Sequence, residues 1–392
     1  MSALGRFLSA GLTDDALHMR TPDGAVETIG RGSTTLEWVF HDARTPARIL
    51  RNPGLNLGET YMEGQWDVSG GSLLELLRVL FVAVPDRRSF WVRAFARTES
   101  VLQSLNRIAR SYRNVAHHYD LDESLFRLFL DTDMHYSCAY FPRPGMDLDA
   151  AQQAKCTHIA RKLCLSAGQR VLDIGSGWGG MAMHLAREHA VEVTGITLSK
   201  EQLRVSRERV TAAGLGDRVR FELCDYREHR GRYDRVVSIG MFEHVGLAHF
   251  QRFFQAAANL VSDDGAMLLH TIGSSGPPSP TNAWIARHIF PGGYIPALSE
   301  TSRAIERAGW VQTDIETLRL HYADTLKAWH ERFQRQRARF VERLGERFCR
   351  MWEFYLQASE ASFRWRDLVV FQLQLAKRHG AIPITREYMY RP

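Results

Sequence analysis

The chain is predicted to be an α/β protein, a doubly wound, mostly parallel sheet preceded by a smaller α+β domain. Two observations predict it. From Gly168 onward, short apolar runs alternate with helical patterns, the signature of a parallel sheet covered on both faces. The first of those runs, Val171-Leu172-Asp173-Ile174, stops at Gly175, Gly177 and Gly179 and passes into a helical pattern with Met181, Leu185 and Ala186 on one face. Before about residue 115 there is no such alternation, and 392 residues suit two domains.

In the first part, Gly24, Gly30 and Gly32, then Thr34 to Phe40, suggest turns and a strand or two. Pro53-Gly54 reads as a turn, and Leu73 to Leu80 has helical spacing. Residues 86–113 read as one or two Arg-rich helices carrying Trp91, Phe95, Leu102, Leu105 and Ile108. The expected domains are 1–115, a small α+β part with its helical connection, and 116–392, the part with the strand–helix alternation.

In the second part, strands fit 170–174, 191–196, 218–223, 234–239 and 265–271, with helices at 178–189, 199–213 and 246–261. The Pro- and Gly-rich stretch 272–298 reads as a long loop, placed to act as a lid. Residues 324–363 read as long helices with Phe340, Leu344, Phe348, Met351 and Tyr355 on one stripe, and a last strand fits Leu368 to Leu375.

Composition excludes several classes. Hydrophobic residues make up 45% and charged residues 24%, as in ordinary globular proteins. No run of about 18 apolar residues is present to span a bilayer, and Met1 to Thr13 is too weakly apolar for a signal peptide. The five cysteines, Cys138, Cys156, Cys164, Cys224 and Cys349, show no paired short spacing, so a reducing cytoplasmic setting is expected, with no metal site and no disulfide framework.

The net charge of +6 is modest, but Arg is clustered. Arg87, Arg88, Arg93 and Arg97 interleave with Phe90, Trp91 and Phe95, and Arg107, Arg110 and Arg113 follow. A second run holds Arg332, Arg335, Arg337, Arg339, Arg343, Arg347 and Arg350. Such patches suit an anionic lipid surface or nucleic-acid phosphates, while the ordinary reading is a solvated helix face.

Gly175, Gly177 and Gly180 also satisfy G-x-G-x-x-G, so a dinucleotide and S-adenosylmethionine compete for the turn. A dinucleotide calls for a carboxylate at the end of the next strand. That strand instead ends in Thr197-Leu198-Ser199, whereas Asp173 lies just ahead of the glycines. Both points favour S-adenosylmethionine. Thr197, Leu198 and Gln202 then fall where the ribose lies, and Asp225-Tyr226 where the adenine lies, an acceptor for its amino group beside a stacking ring. The fourth strand runs into Glu243-His244 and the fifth holds His270, so three titratable groups meet at the carboxyl edge of the sheet. A surface carboxylate or a capping histidine is the ordinary reading of any one of them.

Six segments resemble the cyclopropane fatty acid synthases: HHYDLDESLFRLFLDTDMHYSCAYF (117–141), VLDIGSGWGG (171–180), GITLSKEQ (195–202), SIGMFEHVG (238–246), LLHTIG (268–273) and FPGGYIP (290–296). GLNLGETYMEGQWD (54–67) is similar to that family's N-terminal domain. Two positions depart from the family pattern: Ser176 stands where Cys is frequent, and Glu123-Ser124 replaces a common Asn. The resemblance implies the seven-stranded, mostly parallel Rossmann-like sheet of S-adenosylmethionine-dependent methyltransferases. It implies methyl transfer to a cis double bond of a phospholipid acyl chain, followed by proton loss and ring closure. The alternative is a methyl- or methylene-branched product; a lipid-binding module without turnover is a third reading.

By resemblance, a bound bicarbonate ion acts as base, held by Cys138, Glu243, His270, the backbone of Ile272 and Tyr322. Tyr119 and Ser137 join the cofactor site. Tyr136, Tyr140, Phe141, Phe242 and Tyr294 are candidate aromatic faces for a carbocation. The expected partners are a membrane phospholipid, the inner membrane surface and a second copy of the chain, with no nucleic acid.

Overall fold

The computed structural model describes residues 1–12, 15–83 and 123–390. The Arg-rich segment 87–113 and Tyr119 lie outside these residues. By compactness the chain divides into two units. The first comprises Met1–Ala94, Thr281–Pro291 and Leu326–Asp367; the second comprises Phe95–Pro280, Gly292–Thr325 and Leu368–Pro392. The first unit thus also takes in two segments from the second half of the sequence.

Where one or two strands were expected, the first unit has four: β1 (Ala16–Arg20), β2 (Val26–Gly30), β3 (Glu37–Phe40) and β4 (Trp66–Ser69), in the order β2-β1-β3-β4. β1 pairs parallel to β3, and the other pairs are antiparallel. Pro53-Gly54 is not a turn. Pro53 opens the helix Pro53–Met62, a position where its missing N–H costs nothing. An aromatic core joins distant segments: Tyr61 lies 4.7 Å from Trp66 and 5.8 Å from Phe354, and Trp284 lies 4.9 Å from Phe354, between ring centroids.

The supposed loop 272–298 is partly regular. Its first residues continue a strand to Ser274, and Ala283–His288 is a helix capped by the Asn282 side chain, which accepts from the N–H groups of Trp284 and Ile285. The stripe from Phe340 to Tyr355 is also broken. Gly345, at φ 81°, separates the helices Arg337–Leu344 and Glu346–Trp365. Part of the second Arg run is structural: Arg350 donates to the carbonyls of Tyr61 and Trp66 and to Asp67, and Arg337 pairs with Glu346.

The second unit holds the seven-stranded sheet: β5 (Arg170–Ile174), β6 (Glu192–Thr197), β7 (Val219–Leu223), β8 (Tyr233–Ile239), β9 (Val261–Ser274), β10 (Val311–Leu318) and β11 (Leu368–Ala376). Their order is β10-β11-β9-β8-β5-β6-β7. β5 to β9 pair in parallel, and β11 is antiparallel to both β9 and β10. β10 was not anticipated; as an edge strand it carries Gln312, Asp314 and Glu316, which hide the apolar signal. The strand order reverses between β5 and β8, and a ligand crevice opens at such a switch point. Two apolar layers enclose the sheet. One includes Leu172, Phe242, Phe250, Phe253 and Phe254, and the other Val171, Leu185, Val193 and Phe221.

Candidate active site

The turn after β5 shows why its glycines are there. Gly175, Gly177 and Gly179 have φ of 83°, 53° and 85°, a region that L side chains rarely adopt. A Cβ on Gly175 would lie 2.7 Å from that of Met241, and one on Gly179 would lie 2.8 Å from the Phe221 ring. A Cβ on Gly177 would meet no atom within 4 Å. Gly177 therefore presents bare backbone to open space beside the switch point. Asp173 is 2% exposed, and its Oδ2 has no hydrogen-bond partner among the described residues. Burial raises its pKa to about 7.

At the end of β6 the Thr197 hydroxyl donates to Gln202 Oε1 (2.8 Å), and Ser199 caps the helix Lys200–Ala212 by accepting from the Gln202 N–H. Leu198 between them is half-buried. Beyond β7, Asp225 is almost fully enclosed and is gripped by Arg227 through Nε (2.8 Å) and Nη2 (2.6 Å). Tyr226 packs edge-on against Phe253, and burial raises its pKa to about 12. Arg227, a partner that sequence reading missed, fixes the Asp225 carboxylate.

At the ends of β8 and β9, which pair up to Ile239 and His270 and are joined beyond by the Gly240 N–H donating to the His270 carbonyl, a side chain adds a further bond. Glu243, on a short turn after β8, accepts from the Ile272 N–H at 2.6 Å through Oε1. Its Oε2 is buried with no partner among the described residues, and burial raises its pKa to about 7. His270, two residues before Ile272, is 2% exposed. Gln372 Nε2 on β11 lies 3.1 Å from His270 Nδ1. With the amide donating, the ring proton sits on Nε2, which also has no partner among the described residues. Burial lowers the His270 pKa to about 3, so the ring stays neutral. A carboxyl oxygen and an imidazole N–H are thus enclosed near the same stretch of β9 without partners among the described residues. His244 is half-buried on the same turn as Glu243.

The segment Asp131–Cys138 is held by a network that the sequence did not reveal. Asp131 accepts from the His135 N–H and Nδ1, both at 2.7 Å, and His135 Nε2 lies 3.3 Å from Cys156 Sγ. Met134 sits at φ 59° within this turn. Gln152 donates to the Ser137 carbonyl (2.9 Å), and Lys155 to the Ser137 hydroxyl (3.2 Å). The Cys138 thiol donates to the Ala139 carbonyl, and burial pushes its pKa up, so it remains a thiol. Thr325 accepts from the Ala139 N–H, which ties this segment to the helix His321–Arg335, where Tyr322 is buried.

The expected aromatic faces pack against neighbouring rings, Phe242 and Tyr294 sharing Phe250, and Tyr140 and Phe141 sharing His321. Phe242 stacks on Phe250 at 4.3 Å, Tyr140 stacks on His158 at 4.5 Å, and Tyr136 lies edge-on to Phe126. Phe141 lies over His321, and the Tyr294 hydroxyl donates to Glu300.

These features fit S-adenosylmethionine. The open face at Gly177 and the orphaned Asp173 oxygen suit a bulky cofactor with a cationic end, and the buried acceptor and donor at Glu243 and His270 suit a small polar species. No group of His, Cys, Asp and Glu residues able to hold a metal ion occurs among the described residues.

Comparison with known proteins agrees. The mycolic acid cyclopropane synthetase family model matches residues 106–373, and a domain family of unknown function matches residues 7–90. A probable fatty acid methyltransferase from Pseudomonas putida is 39% identical, covering 87% of this chain and 88% of its own. Cyclopropane-fatty-acyl-phospholipid synthase from Escherichia coli is 36% identical, covering 84% and 85%. A tuberculostearic acid methyltransferase from Mycobacterium tuberculosis is 39% identical, covering 84% and 80%. Among solved structures, the mycolic acid cyclopropane synthase CmaA1 with SAH and CTAB superposes with a TM-score of 0.64 at 34% identity, covering 67% of this chain and 97% of its own. The switch-point site and these matches together place the chain in the mycolic acid cyclopropane synthetase family of S-adenosylmethionine-dependent methyltransferases.

Proposed function

We propose that this protein adds a methylene from S-adenosylmethionine across a cis double bond of a phospholipid acyl chain. The observation that carries the reading is the two enclosed groups at the carboxyl ends of β8 and β9, Glu243 Oε2 and His270 Nε2, each without a protein partner among the described residues. S-adenosylmethionine, when bound, supplies an electrophilic methyl. An alkene is a poor nucleophile, so the site must orient it and exclude water. The family and the relative named as a phospholipid synthase support the substrate class.

Ring closure requires removal of a proton from an apolar centre. We assign Cys138, Glu243, His270, Ile272 and Tyr322 to a bicarbonate site that supplies the base. Glu243 accepts, and His270 donates from Nε2. Ile272 acts by orienting Glu243, because its N–H is given to that carboxylate. Asp173, Gly175, Gly177, Thr197, Leu198, Gln202, Asp225 and Tyr226 frame the cofactor, with Ser137 and Tyr119. The division into a lipid-binding part and a catalytic part, and a homodimeric state, belong to the same reading.

A branched product is the second reading, favoured by the two relatives at 39% identity named as methyltransferases. Proton magnetic resonance of the acyl chains after incubation with S-adenosylmethionine separates the two: a methylene branch has the mass of the ring but carries vinylic hydrogens, and a saturated methyl branch, which also needs a hydride donor, carries two hydrogens more. Unmodified chains would overturn both.

Among the described residues no helix is long and apolar enough to cross a membrane. The acyl chain must therefore be drawn from a bilayer by a protein that docks on its cytoplasmic face. Arg88, Arg93 and Arg97, interleaved with Phe90, Trp91 and Phe95, are the proposed docking segment. Each Arg near an anionic surface contributes about 1 kcal/mol, screened within a Debye length. Vesicle sedimentation should rise with anionic lipid and fall with salt. Replacing these three with Glu should weaken it while leaving cofactor affinity intact.

A further inference from the structure

The helix Leu148–Lys162 carries two lysines with no exposed surface, Lys155 and Lys162. Their surroundings differ. Lys162 Nζ lies 2.5 Å from Glu316 and 3.5 Å from Asp314, so its charge is answered within the protein. Lys155 Nζ has one hydrogen bond, to the Ser137 hydroxyl at 3.2 Å, and no carboxylate within ion-pair reach among the described residues. Asp131, on the segment that Lys155 braces, spends its carboxylate on His135. An ammonium enclosed with only a neutral partner is expensive, several kcal/mol in a protein interior. Two of its three N–H donors remain for something else.

The position of Lys155 says what that is. Ser137 precedes Cys138, and the Lys155 charge opposes ionisation of neither Cys138 nor Asp173 while it disfavours protonation of His270. Its field therefore reaches both the cofactor side and the base side of the site. Gln152, one turn earlier, holds the Ser137 carbonyl, so the Ser137 main chain is fixed independently of Lys155. The ammonium is not needed to fold that segment.

We propose that Lys155 is the cationic subsite of this active centre, binding a carboxylate-type anion beside Ser137 and Cys138. Two sources share that chemistry: the carboxylate of the methionine end of S-adenosylmethionine, and free bicarbonate. The inference rests on the cofactor reading above.

The test compares wild type with Lys155→Met, which keeps the length and removes the charge, by calorimetric titration with S-adenosylmethionine and with decarboxylated S-adenosylmethionine. If the methionine carboxylate is the ligand, wild type prefers the carboxylated form by tenfold or more and the variant loses that preference. If bicarbonate is the ligand, the preference is unchanged and the bicarbonate concentration giving half-maximal turnover rises tenfold or more. Lys155→Arg should retain whichever property Lys155→Met loses. A folded Lys155→Met with wild-type preference and wild-type bicarbonate dependence would overturn the proposal, as would an equal loss of affinity for both cofactor forms. Should Lys155→Met fail to fold, Lys155→Arg decides alone, because a folded Arg variant that loses both properties makes charge irrelevant. Failure of the wild type itself to bind S-adenosylmethionine would instead remove the cofactor reading.

Discussion

Glu243 Oε1 accepts the Ile272 N–H at 2.6 Å, so the carboxylate is anchored to β9 by one oxygen while the other is buried with no partner among the described residues. This geometry commits one oxygen to position and frees the second for chemistry. Glu243→Gln keeps an acceptor for Ile272 but no longer offers a carboxylate. Turnover should fall about a hundredfold or more, the range for an oriented acid–base group, with S-adenosylmethionine affinity nearly unchanged. Steady-state rates beside calorimetry check this; wild-type turnover would remove Glu243 from the reaction.

The same residue predicts a pH signature in the ligand-free protein. Burial raises its pKa from 4.5 to about 7, so the folded state holds its proton at pH values where the unfolded chain has released it. The stability contributed by that proton is full below about pH 4.5 and is lost as pH rises through about 7. A shift of this size corresponds to about 3 kcal/mol. Chemical denaturation between pH 4.5 and 8 should therefore show wild type losing ground to Glu243→Gln as pH rises. Parallel curves would mean that the carboxyl is solvated.

Gly177 separates backbone strain from ligand clearance. Gly177 (φ 53°) and Gly214 (φ 66°) both have positive φ and space for a Cβ. Alanine at either should cost about 1 kcal/mol of stability. Valine at Gly177 should also abolish cofactor binding, whereas Gly214→Ala should leave it intact. Calorimetry on both variants decides, and binding by a folded Gly177→Val would show that the cofactor does not approach there.

Arg227 and Asp225 form a pair with side chains 7% and 1% exposed. Removing only the cation strands a buried carboxylate, so Arg227→Met should destabilise the protein by about 3 kcal/mol or more. Adding Asp225→Asn should restore part of that loss. Urea unfolding of the two single variants and the double variant measures the coupling.

The elements most legible in sequence were those whose signal is local. The run from Val171 to Gly180 announces strand, turn and helix within ten letters, and β5 matches its expected range while β6, β7 and β8 lie within a residue of theirs. Partners distant in sequence were not legible. Gln372, which sets the His270 tautomer, is 102 residues away, and nothing around it distinguishes it from any polar residue in a strand. Lys155 and Arg227 carried no signal in the sequence because burial is a property of the fold. The helix Ala283–His288 was hidden by flanking prolines and glycines that read as loop throughout.

The division of the first unit among three stretches of chain bears on the order of synthesis. Met62 meets the Trp284 indole across 222 residues, and Tyr61 meets Glu353 across 292. When the N-terminal sheet leaves the ribosome, the side chains that complete its core have not been made, whereas β5 to β9 can pair as soon as Ser274 emerges. Domains ordinarily fold from the N-terminus first; here the later-made sheet is the one able to close early, and the first-made segment waits with Tyr61, Trp66 and their neighbours uncovered. The interval in which apolar surface stays uncovered therefore belongs to the beginning of this chain, and a nascent chain stalled before residue 346 should stay protease-sensitive within residues 1–83 while its parallel sheet resists.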